Sequence, residues 1–556
     1  MMFVLLMFCM ACHGISKSYG FYFPADEFGY WSFAARLAGY DWSDIASLSS
    51  YYSYGYSLVL FPVFALAENG IAAYRAALAV NYVMLAACYF LIQRVEKNIS
   101  PFSAAVAVFY PTWLFYAGTT FAEILLVLLY VVICLLLCAY LRTGRKYFMA
   151  LLFGAMLYMY FVHMRAIGVL GSGIVTLLVY DLCRDRRRVR YTLMLLLCTA
   201  AVAVAGTLVK NEWTSVVYSG TSDGLQRVND YAGQAEKLLY LFTAEGMRNF
   251  VISVAGKLLY LGLASFGIAY FGIAYAVIQV FGKKSERMNC FYLFVLLSTL
   301  AAVLISAVYT IYPGRVDTLA YGRYQEYVVP ILLTAGIKSL REKSVSARKM
   351  ARSILILLAL EAVMTWLVTV SLRAYGQTDF FGNTICGISW LYNPERFEPV
   401  SFYCLAYGTG AVLTVLACVG IWWTGRKKAG ELFLMLLVAL QIAVSMRLSA
   451  MYLDDARLGC FRDTMIMEKI QEINTENTRE VYYSTGGENF GNIGILQFMM
   501  RDTKIHIIKE NYSVANQRAE DLLLTDYRSS QAVVLKEVYD RHLTCGHFTL
   551  FYNETE

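Results

Sequence analysis

The chain has 556 residues, 59% of them hydrophobic and only 16% charged, with a mean hydropathy of +0.52; a soluble domain is about a quarter charged. An ordinary soluble fold is thereby excluded, and apolar blocks of about 20 residues read as helices crossing a bilayer, where lipid offers the backbone no hydrogen-bond partner. The net charge of +7 gathers between those blocks, as cytoplasmic loops require, so it does not point to nucleic acid.

Taken in order, the first apolar block, residues 2–15, spans roughly 21 Å as a helix against the ~30 Å hydrocarbon core. No basic residue precedes it, so it does not read as a cleaved signal; it reads as a first helix truncated or miscalled at its start. There follows Phe23-Pro24-Ala25-Asp26-Glu27-Phe28-Gly29-Tyr30-Trp31, two adjacent carboxylates just beyond a membrane helix. Residues 30–40 then have aromatics on one side and are expected to lie along the membrane interface. Tyr51-Tyr52-Ser53-Tyr54-Gly55-Tyr56-Ser57 leads into the next apolar stretch, and Arg75 stands near the head of the following helix.

Basic clusters then punctuate the chain. They comprise Arg94 and Lys97; Arg142, Arg145 and Lys146; the arginines of 184–190; Lys283, Lys284 and Arg287; Lys338 to Arg352; and Arg426, Lys427 and Lys428. Each closes one apolar hairpin and opens the next, so every second loop is cytoplasmic. The intervening loops, about 16–69, 119–122, 163–168, 207–249, 310–326, 372–399 and everything after 448, therefore face outward. Glu123, His163, Arg165, Arg315 and Arg323 all fall at that level, the last within Asp317-Thr318-Leu319-Ala320-Tyr321-Gly322-Arg323-Tyr324. Charges at membrane depth are costly and tend to be functional. Glu361 lies inside an apolar helix and has no evident role.

The division expected is a membrane domain over 1–447 and a small α/β domain over 448–556. In the latter, residues 462–474 carry helical spacing, and 480–484, 505–508, 531–536 and 548–552 read as strands. Gly486-Gly487 reads as a turn. Of the 13 cysteines, most sit in apolar segments; Cys460 and Cys545 share the C-terminal domain and are a candidate disulfide if that domain is extracytoplasmic.

The Asp-Glu pair in the first outer loop, the interfacial segment after it, the Tyr/Gly-rich entry to the next block, Arg75 and about thirteen spans ending in an extracytoplasmic domain resemble the GT-C glycosyltransferases. These are the superfamily of protein O-mannosyltransferases and lipid A aminoarabinose transferases. The resemblance is strongest over residues 20–180. It implies transfer of a sugar from a polyprenyl-phosphate carrier to an extracytoplasmic glycan, lipid or protein, usually with inversion. It implies Asp26 as the base, Glu27 orienting it or the acceptor, and Glu123 as a second acidic residue. Arg323, Arg165, Arg315, His163, Tyr54 and Arg75 are then the candidate substrate and phosphate ligands. Asp26, Glu27 and Glu123 also offer oxygens to Mg²⁺ or Mn²⁺, which some members of the superfamily need and others do not. A transporter or lipid flippase, or a non-catalytic envelope-assembly protein, is the alternative; no internal repeat supports the transporter.

Overall fold

In a computed structural model the described residues are 2–48, 52–95, 99–184, 186–220, 232–282, 286–312, 314–342, 345–425, 429–475, 478–484, 492–508 and 521–554. Tyr51, Lys97, Lys283, Lys284, Lys343, Arg426, Lys427, Lys428 and the Gly486-Gly487 turn lie outside them. The chain is an α-helical integral membrane protein. Among the described residues nine helices are long and apolar enough to cross a bilayer, from Gly70–Val95 to Gly430–Tyr452. Four shorter apolar helices accompany them: Met2–Ser16, Ser57–Leu66, Lys146–Val162 and Ile268–Phe281. The expected count of about thirteen spans therefore needs the short helices as well as the nine.

The segment after the first helix departs from its expected form. Pro24 opens a helix, Pro24–Leu37, with Asp26 and Glu27 in its first turn. Proline suits that position because the first helical N–H has no partner to lose. Residues Glu27 to Ala35 are all buried, so this helix is enclosed rather than laid along an interface. It packs on Ser57–Leu66 and on Ile493–Met499 of the C-terminal region. The loop carrying Tyr52 to Tyr56 is pinned where Gly55 N–H donates to the Phe161 carbonyl at 3.0 Å. A Cβ at Gly55 would lie 2.4 Å from Val162 N, so only glycine permits this approach.

The C-terminal region holds a five-stranded sheet: β1 (Val481–Ser484), β2 (Ile505–Ile508), β3 (Leu522–Asp526), β4 (Arg541–Cys545) and β5 (Phe548–Tyr552), in the order β2-β1-β3-β5-β4. β1 pairs in parallel with β2 and β3, with Val481 opposite both Ile505 and Leu522. β5 runs antiparallel to β3 and β4. The last long apolar helix continues to Tyr452, and Asp454–Ile473 follows almost at once. Residues 531–536 are not a strand: Gln531–Leu535 is helical, burying Ala532 and Leu535 three apart and exposing Val533 and Val534. Cys460 and Cys545 are both free thiols. Cys460 Sγ faces the Phe21 carbonyl and Cys545 Sγ faces Met465 Sδ. Phe498 fastens the sheet region to the membrane helices, its ring 4.6 Å from that of Phe21 and 4.8 Å from that of Trp31.

Candidate active site

Five side chains, from separate stretches of the sequence, form one hydrogen-bonded chain. Arg323 Nη1 donates to Asp26 Oδ2 at 2.6 Å and its Nε donates to Glu123 Oε1 at 2.7 Å. Arg165 Nη2 donates to the same Glu123 oxygen at 2.9 Å. Tyr52 OH donates to Asp26 Oδ1 at 2.5 Å. Two carboxylates and two guanidiniums therefore neutralise one another, the arrangement that buried charge demands. Burial alone would lower the pKa of Arg323; the Glu123 and Asp26 charges beside it hold it well above the ordinary value.

Each charged member stands at the start of a helix or in the turn before one. Asp26 is in the first turn of Pro24–Leu37. Glu123 opens Glu123–Thr143, where a negative charge also meets the positive end of the helix dipole. Arg165 lies in the 3₁₀ turn Met164–Ala166, whose entry is capped by His163: its Nδ1 accepts from Arg165 N–H at 3.3 Å. Arg323 precedes the turn Glu326–Val328. Aromatic faces support the cations: Arg323 stands 4.1 Å from the Phe121 ring centre and Arg165 4.4 Å from that of Tyr324. Such contacts add attraction when desolvated.

The two adjacent carboxylates part company. Glu27 is fully buried and does not touch Asp26 or the arginines. Its Oε1 accepts from the N–H groups of Tyr22 and Phe23 at 2.8 and 3.0 Å. Its Oε2 accepts from Tyr74 OH, Thr120 N–H and Thr120 Oγ1 at 2.8, 2.7 and 2.6 Å. Burial pushes the Glu27 carboxyl upward against those donors. Glu27 thus joins the free N–H groups ahead of the helix to the turn before Glu123, instead of orienting Asp26. Asp26 has 25% of its side chain exposed, whereas Glu123 has 2%.

Three other expected ligands are engaged elsewhere. Arg315 pairs with Asp317 through two hydrogen bonds of 3.1 and 2.9 Å and lies over Phe381. Arg75 donates to the Ser18 and Ser16 carbonyls and covers Tyr19, a structural role. Tyr54 stacks on Phe161 and reaches the Gly206 carbonyl; it is Tyr52, two residues earlier, that meets Asp26. No group of three His, Cys, Asp or Glu side chains disposed to hold a metal occurs among the described residues. The Arg323 guanidinium lies between Asp26 and Glu123. Glu361 is buried with both oxygens unpartnered among the described residues.

No protein-family profile matches the chain, and no curated protein matches it. Among solved structures, ArnT from Cupriavidus metallidurans in the apo state aligns with a TM-score of 0.50 and 13% identity, covering 99% of this chain and 97% of that one. ArnT from the same source bound to undecaprenyl phosphate aligns with a TM-score of 0.49 and 12% identity over the same shares. The fold is ArnT-like. In this ArnT-like frame the sequence signals for Tyr52, Tyr324 and Phe121 were weak: each lies in an aromatic-rich stretch where composition alone does not single out one ring. Thr120 had no signal either, since its hydroxyl matters through Glu27 and Trp31, both far away in sequence.

Proposed function

We propose that the protein is a membrane glycosyltransferase moving a sugar from a polyprenyl-phosphate donor to an extracytoplasmic glycan, lipid or protein, with Asp26 as general base. The observation that carries this reading is the accessibility of Asp26 within an otherwise dry charge cluster. Of the three carboxylates, it alone has substantial exposure, so it alone can meet an acceptor hydroxyl. That hydroxyl gives its proton to Asp26 as its oxygen bonds to the anomeric carbon from the face opposite the phosphate. The anomeric carbon–oxygen bond to phosphate breaks with inversion, and the electron pair leaves on the polyprenyl phosphate.

The departing phosphate needs cationic donors. Arg165 is buried, and its Nε and Nη1 have no partner among the described residues. Unfilled N–H groups on a buried guanidinium are donors that an anionic oxygen satisfies. The ArnT-like fold supports the same class of reaction. Alternating access would favour charges near mid-span, whereas Glu123 and Arg165 stand in the first turns of their helices.

The test is transfer of labelled sugar from a panel of polyprenyl-phosphate sugars in proteoliposomes, comparing wild type with Asp26→Asn at matched folding. A loss of at least about a hundredfold is expected for removal of a general base. Equal rates in the two proteins would remove Asp26 from the chemistry.

A further inference from the structure

The Arg323 guanidinium bridges two carboxylates, yet little of its own turn is held by side chains of that cluster. Its backbone is fixed from behind. Gly322 and Arg323 both donate their N–H groups to the Thr384 carbonyl, at 3.0 and 2.9 Å. The Tyr260 ring lies against Gly322 so closely that a Cβ there would sit 2.0 Å from the ring. The Tyr260 hydroxyl donates to Glu326 Oε1 and accepts from Gly387 N–H at 2.9 Å. Thr112 Oγ1 donates to the same Glu326 oxygen at 2.9 Å. Glu326 therefore gathers three separate elements, Pro111–Ala117, Ala244–Ala264 and Cys386–Ser389, around the turn that carries Arg323.

We propose that Glu326 is a positioning residue, acting through Tyr260 and Gly322 to hold Arg323 between Asp26 and Glu123, and that it does so only while it carries a proton. The inference rests on the site described above and extends the proposed reaction with a pH limit. Glu326 is 1% exposed, and its Oε2 has no partner among the described residues. A buried carboxylate oxygen without a donor is costly, whereas a neutral acid is tolerated. The groups facing it are Tyr110 and Tyr116 from one side, Tyr260 from another and Cys386 from a third. Farther off stand Glu123 and Arg165, which are paired with each other. None supplies a close positive charge. Burial accordingly pushes the Glu326 carboxyl up to about 8, with the Tyr260 and Thr112 hydrogen bonds opposing.

Loss of that proton leaves an uncompensated charge buried in the turn that carries Arg323, a cost the turn relieves by loosening. The sign follows from linkage. A carboxyl whose folded pKa is raised from 4.5 to about 8 leaves the folded protein holding more protons than the unfolded chain, so stability falls as pH rises through that window.

The experiment uses the full chain in proteoliposomes and compares wild type with Glu326→Gln across about pH 6 to 10, bracketing the expected titration. Hydrogen exchange over residues 317–328, corrected for its intrinsic pH dependence, is read alongside sugar transfer. In wild type, protection of this segment falls above about pH 8, and transfer falls by about tenfold per pH unit, as loss of one proton requires. In Glu326→Gln both stay level through that range. Tyr260→Phe keeps the ring against Gly322 but removes both the link and a hydrogen bond that favours the charged form, so protection is lower at every pH and the remaining alkaline fall moves to higher pH; this variant decides the matter if Glu326→Gln does not fold. Identical alkaline loss of protection in wild type and Glu326→Gln overturns the proposal. Because exchange is read without substrate, a protein that transfers no sugar but shows the Glu326-dependent transition would sink the transferase reading and leave this one standing.

Discussion

Two charge clusters use similar groups in different surroundings. In one, Arg323 joins Asp26 and Glu123 with its own side chain only 5% exposed. In the other, Lys504 beside β2 reaches Asp41 Oδ2 at 2.8 Å and Asp44 Oδ1 at 3.3 Å, with His506 Nδ1 3.5 Å from Asp44 Oδ2. There Asp41 is half exposed and Lys504 about a third. The first cluster is buried apart from Asp26, so removing Arg323 leaves charge that water only partly compensates. The second keeps Asp41 and Lys504 hydrated, with only Asp44 buried, so water takes over most of what is removed. Shared chemistry with unequal burial thus separates a site that must stay complete from a join that need not.

The largest effect should follow from Arg323→Met. It leaves Asp26 and Glu123 without their shared cation and should cost about 3–5 kcal/mol of stability, measured by reversible unfolding in detergent or bicelles. Pairing it with Glu123→Gln in a double-mutant cycle sharpens the comparison. The two changes should recover about 0.5–3 kcal/mol of coupling, as contacting groups do. Simple additivity would mean that the cluster is not the closed unit it appears from its hydrogen bonds.

Glu27→Gln should come next. Five donors converge on the Glu27 carboxylate. An amide presents one acceptor oxygen and turns two donors towards donors. Leaving buried N–H or O–H groups unmatched costs about 1–3 kcal/mol. Asp26→Asn disturbs a partly exposed group with two partners, so thermal unfolding should rank Glu27→Gln as the more destabilising of these neighbours. The reverse order would contradict the division of labour between them.

That division shows how far the sequence reaches. That Asp26, Glu123, Arg165 and Arg323 stand near helix starts was legible, because charges bordering apolar blocks mark the helix ends. Which carboxylate faces the arginines depends on a helix beginning at Pro24, since consecutive helical residues point about 100° apart. A proline directly ahead of the pair was the available signal, but the aromatic run after it suggested an interfacial segment instead. Tyr52 against Tyr54 is the same problem in a loop, where no period decides which ring turns inward. In the C-terminal region, residues 505–508 and 548–552 matched strand bounds because their apolar runs are sharply ended. β3 went unread although Leu522 to Leu524 form an apolar run, and β4 went unread as an edge strand with polar Arg541, His542 and Thr544. Residues 531–536 misled because their strand-favouring valines are the ones exposed.

The smallest effect should be at the hydrated join. Lys504→Met removes the cation shared by Asp41 and Asp44, yet exposed ion pairs are worth only about 0–1 kcal/mol. The C-terminal region keeps its other fastenings: the Phe498 ring among Phe21 and Trp31, and Arg501 Nη1 donating to the Phe64 and Ala67 carbonyls at 3.2 and 2.6 Å. The pH dependence gives the sharper reading. Burial tends to raise the Asp41 carboxyl, but its hydrogen bonds with Lys504 and Ser43 prevail and bring it from 3.8 to about 2. The Asp44 carboxyl is also lowered, chiefly by its bond to His506. Both carboxylates have depressed folded-state pKa values, so their contribution is fully present above about pH 4 and is lost as pH falls towards 2. Hydrogen exchange at residues 41–48 and 504–508 should therefore show wild type loosening across that acid window. Lys504→Met should already be slightly loosened at neutral pH and change less on acidification. Raised salt should narrow the difference between the two proteins by screening exposed charge, while leaving the Arg323 cluster nearly untouched. Equal salt sensitivity at both clusters would mean that water reaches Arg323 as freely as Lys504, and the contrast between a dry site and a wet join would fail.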